Sequence, residues 1–418
     1  MNLTIAEMGA RGEGLAEGPN GPVHVPYTLP GESVNAAVNG GRGTVMSILE
    51  PSRERVTPVC KHFEHCGGCM LQHWQTDAQL EWKRLEVRDA LGKRGIEADV
   101  LPIIGCEPGE RRRVTFTVRD EQGRKVTGFN AAQSHDVVEI TECFVAAPQI
   151  VAALPVVREL AKIIKVEREG GHIAVTLTES GLDMHVSGID KLADELRRKM
   201  SAFALAHGLA RLSADEEVLV EAKRPVIHFG PVAVTPPPGG FLQASARIEE
   251  AMAALVVSHF AKAKKVADLF AGSGAFTFRL AGKAPVHAVE GDKSAVAALD
   301  RGRRGLQGVK AISVEQRDLF RRPMMVSELK AYDAVVFDPP RAGAEDQARM
   351  LAKSGVRWIA AVSCNPATLA RDLRILIDGG FKLKSVTPFD QFLWSAHVEA
   401  VALLENPNAG SGPRKIFG

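Results

Sequence analysis

The chain has 418 residues, enough for two or three domains that each bury a full core. It is 45% hydrophobic and 24% charged with a formal net charge of +2, which excludes a collagen-like, disordered or strongly polyanionic chain. Six cysteines in this length do not make a secreted disulfide framework. No stretch approaches the roughly 20 apolar residues of a bilayer span, and residues 1–10 lack the basic and long apolar regions of a signal peptide. The expectation is a cytoplasmic protein with no membrane partner. Basic residues do cluster, at Arg111-Arg112-Arg113, at Arg301 with Arg303-Arg304, and at Arg321-Arg322. Such local patches matter more to a polyanion than the total charge does.

Residues 1–56 alternate short apolar runs with glycine and proline turns, the pattern of a small β-barrel. Gly12-Glu13-Gly14, Val23-His24-Val25 and Leu29-Pro30-Gly31-Glu32 make the segment resemble a TRAM domain, an OB-like RNA-binding module. The sequence Cys60-Lys61-His62-Phe63-Glu64-His65-Cys66-Gly67-Gly68-Cys69 follows. Its three thiols can converge on one centre, with the glycine pair allowing a tight fold, and Cys143 is a distant fourth. Four thiolates suit an iron–sulfur cluster. They also suit structural zinc, and His62 and His65 keep zinc open. Cys106 stands apart and reads as a packing residue.

Residues 79–94 read as a charged amphipathic helix. Residues 100–230 read as a mixed α+β region, with strands at 114–118 and 172–178 and helical character over 190–208. The first of these strands follows the arginine triplet, so that sheet face could meet phosphates. Thr235-Pro236-Pro237-Pro238-Gly239-Gly240 marks a linker before Phe241-Leu242-Gln243 and a helix over 246–261. From Lys264 onward strand and helix alternate. Strands are expected at 266–270, 286–290, 311–314, 332–337 and 358–362, which implies a doubly wound sheet. Ala271-Gly272-Ser273-Gly274 is a glycine loop after the first strand, and Glu290 ends the second. This pairing allows a ligand to approach the backbone while a carboxylate accepts from ribose hydroxyls. The loop is not a full dinucleotide fingerprint, and Asp338-Pro339-Pro340-Arg341 ends the fourth strand, as in methyltransferases that use S-adenosylmethionine (SAM).

The fifth strand stops at a cysteine, in Ser363-Cys364-Asn365-Pro366-Ala367-Thr368-Leu369-Ala370-Arg371-Asp372. Pro366 opens a helix there. A thiol is thus placed at the carboxyl end of a strand, where open α/β sheets keep their chemistry. A helix start can favour the thiolate. Together with Asp338-Pro339-Pro340-Arg341 and His397-Val398-Glu399, this stretch makes the chain resemble RNA uracil-C5 methyltransferases of the TrmA/RumA type. The resemblance runs from the TRAM-like start to the C-terminal sheet. It implies a SAM-dependent, Rossmann-like α/β domain preceded by an OB-like β-barrel and a central α+β domain. It divides the chain at 1–56, 57–235 (cysteine motif and central RNA-binding domain), 236–405 (catalytic domain) and 406–418 (flexible tail). Cys60, Cys66, Cys69 and Cys143 would ligate a [4Fe-4S] cluster. Gln243, Phe270, Glu290, Asp318 and Asp338 would line the SAM site. Cys364 would be the nucleophile and Glu399 the general base.

The reaction accounts for these residue types. C5 of uracil is a poor nucleophile until a thiolate adds to C6 and turns the ring into an enolate. C5 can then attack the methyl group of SAM. A carboxylate must next remove the C5 proton so that the thiol can leave. The base has to leave its stack to reach the thiol, and Phe392 or Trp394 could stack on it or simply pack. The chain departs from the family at Ala275, where a small polar residue is usual, and over 390–399, where the family often has Phe-Pro. The expected partner of this monomer is RNA, 23S rRNA ahead of tRNA. The competing readings are a radical SAM enzyme, a cytosine C5-methyltransferase and a non-catalytic RNA-binding protein.

Overall fold

The computed structural model describes residues 1–409; the expected flexible tail lies outside the described residues from position 410 onward. The chain forms two compact units. The first gathers residues 1–83, 106–224 and 392–397, and the second, among the described residues, 84–105, 225–391 and 398–409. Residues 84–105, expected within the central domain, therefore belong to the second unit, and a six-residue piece of the expected catalytic domain belongs to the first.

The first unit begins with a closed five-stranded barrel whose strands are Asn2–Met8, Gly14–Gly18, Gly21–Val25, Ser33–Asn39 and Arg42–Glu50. Alternation in these strands turns Leu3, Ile5, Ala16, Val23, Val25, Val34 and Ala36 into one small core. Gly14 has to be glycine: a Cβ there would meet Thr28 Oγ1 at 2.2 Å and Ile5 at 2.7 Å. Glu32 is fully buried and closes the turn that leads into the fourth strand. Its carboxylate accepts from Leu29 N (2.9 Å), Ser52 N (3.1 Å) and Arg55 Nε (2.5 Å). The Leu-Pro-Gly-Glu motif thus holds the barrel to the segment that leads into the cysteines.

The remainder of this unit is a seven-stranded sheet in the order Glu217–Glu221, Arg211–Ala214, Gly181–Ser187, Gly171–Thr178, Arg113–Glu121, Arg124–Asn130, Val137–Val138. Helices Leu154–Ile163 and Asp194–Ala206 share its core with Phe116, Val118, Ile173, Val175, Met184 and Val186.

The second unit carries an eight-stranded sheet. Its order is Ile312–Gln316, Val286–Glu290, Val266–Leu269, Ala334–Phe337, Trp358–Ser363, Glu399–Glu405, Lys382–Asp390, Ile104–Gly105. The five expected strands pair in parallel. Val266–Leu269 and Ala334–Phe337 are buried at every position, as a sheet with both faces covered demands. The C-terminal pair was not foreseen. Glu399–Glu405 inserts antiparallel between Trp358–Ser363 and Lys382–Asp390.

Candidate active site

Cys364 follows strand Trp358–Ser363 directly and precedes helix Pro366–Asp378. Asn365 caps that helix, its side chain accepting from Ala367 N at 3.1 Å, and Pro366 takes the first helical position. Ser363 Oγ accepts from Asn365 N and donates to Asn365 O, both at 3.2 Å, so the turn that carries the thiol is fixed on either side.

The inserted strand decides what faces the thiol. Ser363 pairs with Ala400 in the antiparallel register. One further step along that register sets Cys364 opposite Glu399, the first residue of its strand. Asp338 lies at the same edge, just past strand Ala334–Phe337. Burial pushes the Cys364 thiol up to about 11, and the Glu399 and Asp338 carboxylates add to the shift against a smaller opposing effect of Arg341. The helix start was expected to favour the thiolate. Burial and two facing carboxylates outweigh it. Burial also holds Glu399 well above the usual carboxylate range, Asp338 adding to the shift and the Gln391 hydrogen bond opposing it.

The run after Cys364 has a structural purpose that its spelling does not disclose. Asn365 Nδ2 and Thr368 Oγ1 donate to Arg341 O at 3.1 and 3.3 Å. Arg371 Nη2 donates to Ala342 O at 3.1 Å, and Asp372 Oδ2 accepts from Ala344 N at 2.7 Å. One face of the helix thereby latches the loop that leaves Asp338. Gly343 sits inside the latch, where a Cβ would approach Arg371 Nη2 to 2.5 Å and Asp372 Oδ2 to 2.8 Å. Asp372 is buried, so Asp372→Ala strands the Ala344 N–H and is expected to cost about 1–3 kcal/mol of stability. Urea unfolding measures that loss. Residual activity should fall further than the folded fraction does, because the Asp338 loop loses its anchor.

The other expected SAM residues gather at the carboxyl ends of the first parallel strands. Phe270 has a left-handed backbone (φ 59°), costly for a non-glycine residue and typical of functional turns. Gly272 and Gly274 also have positive φ. A Cβ at Gly272 would meet nothing within 4 Å, which leaves open space above the loop, whereas one at Gly274 would strike Phe278 at 2.5 Å. Glu290 is turned to this loop. Its oxygens accept from Gly272 N (2.8 Å) and Asp292 N (2.7 Å). Asp318 Oδ1 accepts from Phe320 N at 2.9 Å and Arg321 N at 3.2 Å. Gln243 Nε2 donates to Asp338 Oδ2 at 3.3 Å. A cavity of about 160 Å³ lies among Phe270, Leu319, Phe320, residues 342–347 and Arg371. It is smaller than the ~300–1,000 Å³ of a whole-ligand pocket, and of the five expected SAM residues only Phe270 lines it.

Three residues at this edge escaped the sequence reading. Asp268 is fully buried, with Oδ2 accepting from Thr277 Oγ1 at 2.5 Å and Oδ1 lacking a partner. Burial raises its pKa to about 7, with Asp338 and Glu290 adding to the shift against the Thr277 hydrogen bond. An orphaned buried carboxylate oxygen beside an open glycine loop fits a cationic ligand. Gln391 Nε2 donates to Gln243 Oε1 at 2.6 Å and to Glu399 Oε2 at 2.9 Å. Phe241, 74% exposed, stands two residues before Gln243. Phe392 and Trp394 lie in the first unit, where Trp394 packs with Leu71 and Trp74 and its carbonyl accepts from Met70 N and Leu71 N.

In the first unit the four cysteines are free thiols. Cys60, Cys66 and Cys143 all act electrostatically on Cys69, whose thiol burial pushes up to about 12 against a hydrogen bond from Gln72. Gly68 N donates to Cys66 Sγ at 3.4 Å, and Ala146 N to Cys143 Sγ at 3.5 Å. Burial nevertheless raises the pKa of Cys66 against the Gly68 N–H. His62 Nε2 accepts from Thr141 N at 2.9 Å, which occupies the lone pair that zinc would need. Among the described residues no group of three or more His, Cys, Asp or Glu side chains is arranged so that it could hold a metal ion, so Cys60, Cys66, Cys69 and Cys143 do not form a ready ligand set. Burial lowers the pKa of Arg111, and its guanidinium feels Cys143, Cys106 and Cys69.

A parallel sheet with a glycine loop, an acid after each of the next strands and Asp-Pro-Pro at the fourth defines a SAM-dependent methyltransferase. Residues 235–407 match the family model described as tRNA (Uracil-5-)-methyltransferase. An uncharacterised RNA methyltransferase of Brucella suis is 54% identical, over 96% of this chain and 97% of that protein. The 23S rRNA (uracil(1939)-C(5))-methyltransferase RlmD of Halomonas elongata is 33% identical, over 97% of this chain and 90% of its own. The fold is shared with the Pyrococcus abyssi tRNA (uracil-54, C5)-methyltransferase solved with S-adenosyl-L-homocysteine (TM-score 0.75, 23% identity, 97% of this chain and 99% of that one). The chain belongs to the RNA uracil-C5 methyltransferase family of the TrmA/RumA type, enzymes that methylate C5 of uridine in RNA. Among the described residues no helix is long and apolar enough to cross a membrane.

Proposed function

We propose that Cys364 adds to C6 of a uridine and that Glu399 removes the C5 proton after methyl transfer. The observation that carries this reading is the register that sets Cys364 across from Glu399, with Asp338 at the same edge. C5 and C6 are neighbouring ring atoms, so a thiol and a carboxylate on neighbouring strands suit them. SAM supplies the methyl group as a sulfonium when bound. The open space at Gly272, the Asp268 Oδ1 orphan and the Phe270 cavity support its placement among Gln243, Phe270, Glu290, Asp318 and Asp338. Phe241 offers a ring on which an unstacked base can rest. The reading extends to a cytoplasmic enzyme acting on 23S rRNA, supported by the 33% identity to the Halomonas enzyme along nearly the whole chain. The barrel and the central sheet would hold that RNA. Mapping of methylated uridines in RNA from a deletion strain tests it: loss in 23S rRNA is the expected result, and loss confined to tRNA moves the substrate to tRNA.

Cys60, Cys66, Cys69 and Cys143 would hold a [4Fe-4S] cluster, a reading supported by the close spacing of the first three thiols, by the place of all four in the first unit and by N–H donors to Cys66 and Cys143. Anaerobically purified protein is expected to contain iron and acid-labile sulfide in equal amounts. Cys69→Ser should remove both and leave the fold of the second unit intact by circular dichroism. Zinc without sulfide would replace the cluster by a structural ion.

A further inference from the structure

Gln391 is buried and joins two parts of the site that the reaction uses at different moments. One hydrogen of its amide goes to Gln243 Oε1 (2.6 Å) and the other to Glu399 Oε2 (2.9 Å). Its own Oε1 accepts from Ala244 N at 2.9 Å. All three bonds fix the amide in one orientation, since a flip would turn its oxygen against the Glu399 carboxylate and the Gln243 carbonyl. Gln243 continues the chain by donating to Asp338 Oδ2 at 3.3 Å. The result is a directional, buried line of bonds, Asp338 to Gln243 to Gln391 to Glu399, with a carboxylate at each end.

That line fixes which oxygen of Glu399 can act. Oε2 is committed to Gln391, and among the described residues Oε1 takes no hydrogen bond. A general base needs one oxygen held and one free for the incoming proton. We propose that Gln391 is the positioning residue of the second half-reaction: it anchors Glu399 through Oε2, presents Oε1 to the C5 proton, and ties the base to the methyl-donor side through Gln243. The inference rests on Glu399 being the base and Cys364 the nucleophile.

It separates two steps that a merely structural residue would affect together. Formation of the Cys364–C6 bond and transfer of the methyl group to C5 do not need the anchored carboxylate. Loss of the C5 proton to Oε1, with return of the electron pair to the C5–C6 double bond and departure of the Cys364 sulfur, does. Gln391→Met keeps the volume and deletes both donated bonds. In rapid-quench experiments with methyl-labelled SAM and unmodified RNA, label should enter the covalent protein–RNA adduct within about threefold of the parent rate. Release of methylated RNA should slow by about 10–100-fold, in the range a misplaced general base costs. Removing the donor that favours the ionised form should also move the base limb of the pH profile for product release to higher pH. The charged or titratable groups that face Glu399 there are Asp338 and Cys364, with Arg341 beside the thiol, and none is altered. Gln391→Glu, a second variant of unchanged shape, sets another acid against Glu399 and should move the limb in the same direction. If both variants lose adduct formation and product release in equal proportion, with the parent pH profile, Gln391 only holds the fold and the proposal fails. Parent rates in both would overturn it too. The underlying reading fails separately, if unsubstituted protein forms no adduct through Cys364.

Discussion

Cys364→Ala is expected to lower methyl transfer to RNA by at least about 10⁴-fold, the scale at which removal of a covalent nucleophile leaves only binding and electrostatics. The reason lies in the substrate: without a sulfur on C6, C5 carries no enolate and the methyl group has no acceptor. The substitution removes a half-buried side chain from a turn held by Ser363, Asn365 and Pro366, none of which bonds through the thiol. Folding should therefore survive, and SAM affinity should stay within about threefold of the parent. The thiol begins protonated at neutral pH, because burial and the two carboxylates push it up to about 11. Activity limited by thiolate formation should accordingly rise with pH across the neutral range, about tenfold per unit where ionisation of a single group governs the rate. Labelled methyl incorporation into RNA, measured for both proteins from pH 6 to 9, checks the loss and the slope. Activity of the alanine variant within tenfold of the parent would remove Cys364 from the chemistry.

Much of this arrangement is legible in the chain before any coordinates. Ala334–Phe337 is an uninterrupted apolar run and Val266–Leu269 is broken only by Asp268, because both faces of these strands are covered, and such runs alternate with helices as in a parallel sheet. The cysteine at a strand end and the proline at the next helical position are equally local signals. What stays hidden depends on contacts between distant residues. Nothing in the spelling of residues 382–405 says that the last strand inserts beside Trp358–Ser363, yet that insertion puts Glu399 across from Cys364. Gln391 looked like part of a departure from the family pattern, and nothing in the spelling shows that it bonds both Glu399 and Gln243, the latter 148 positions away. The start of the helix after Cys364 was visible in the same way, whereas the burial that raises the thiol, and the two carboxylates that add to it, come from the surrounding fold. Residues 84–105 and 392–397 cross between units because short segments of ordinary composition carry no mark of the core they join.

Glu399→Gln is expected to act at the opposite end of the reaction, and by a different signature. The amide cannot take the C5 proton, so methylated uracil should remain bonded to Cys364 through C6. Turnover should fall by about 10²–10⁴-fold, the usual contribution of a positioned general base. A first round of methyl transfer should still proceed, and its product should migrate as a protein–RNA species carrying label from SAM in a denaturing gel. The substitution is close to neutral for the fold, since Glu399 is buried and its pKa is raised chiefly by that burial and by Asp338, so an uncharged side chain removes a repulsion. The sign follows from linkage. A carboxyl group whose folded-state pKa lies above its unfolded value contributes stability below the unfolded value and loses it as pH rises through the folded one. Replacing Glu399 by glutamine should therefore leave acid stability unchanged and raise stability above neutrality. Thermal unfolding at pH 5 and pH 8 reads this directly. A variant that gains stability at pH 8, accumulates labelled adduct and hardly turns over has lost a base. One that forms no adduct, although Cys364 is intact and SAM binds, would show that Glu399 is needed before the methyl group moves, and the C5 proton would then require another acceptor.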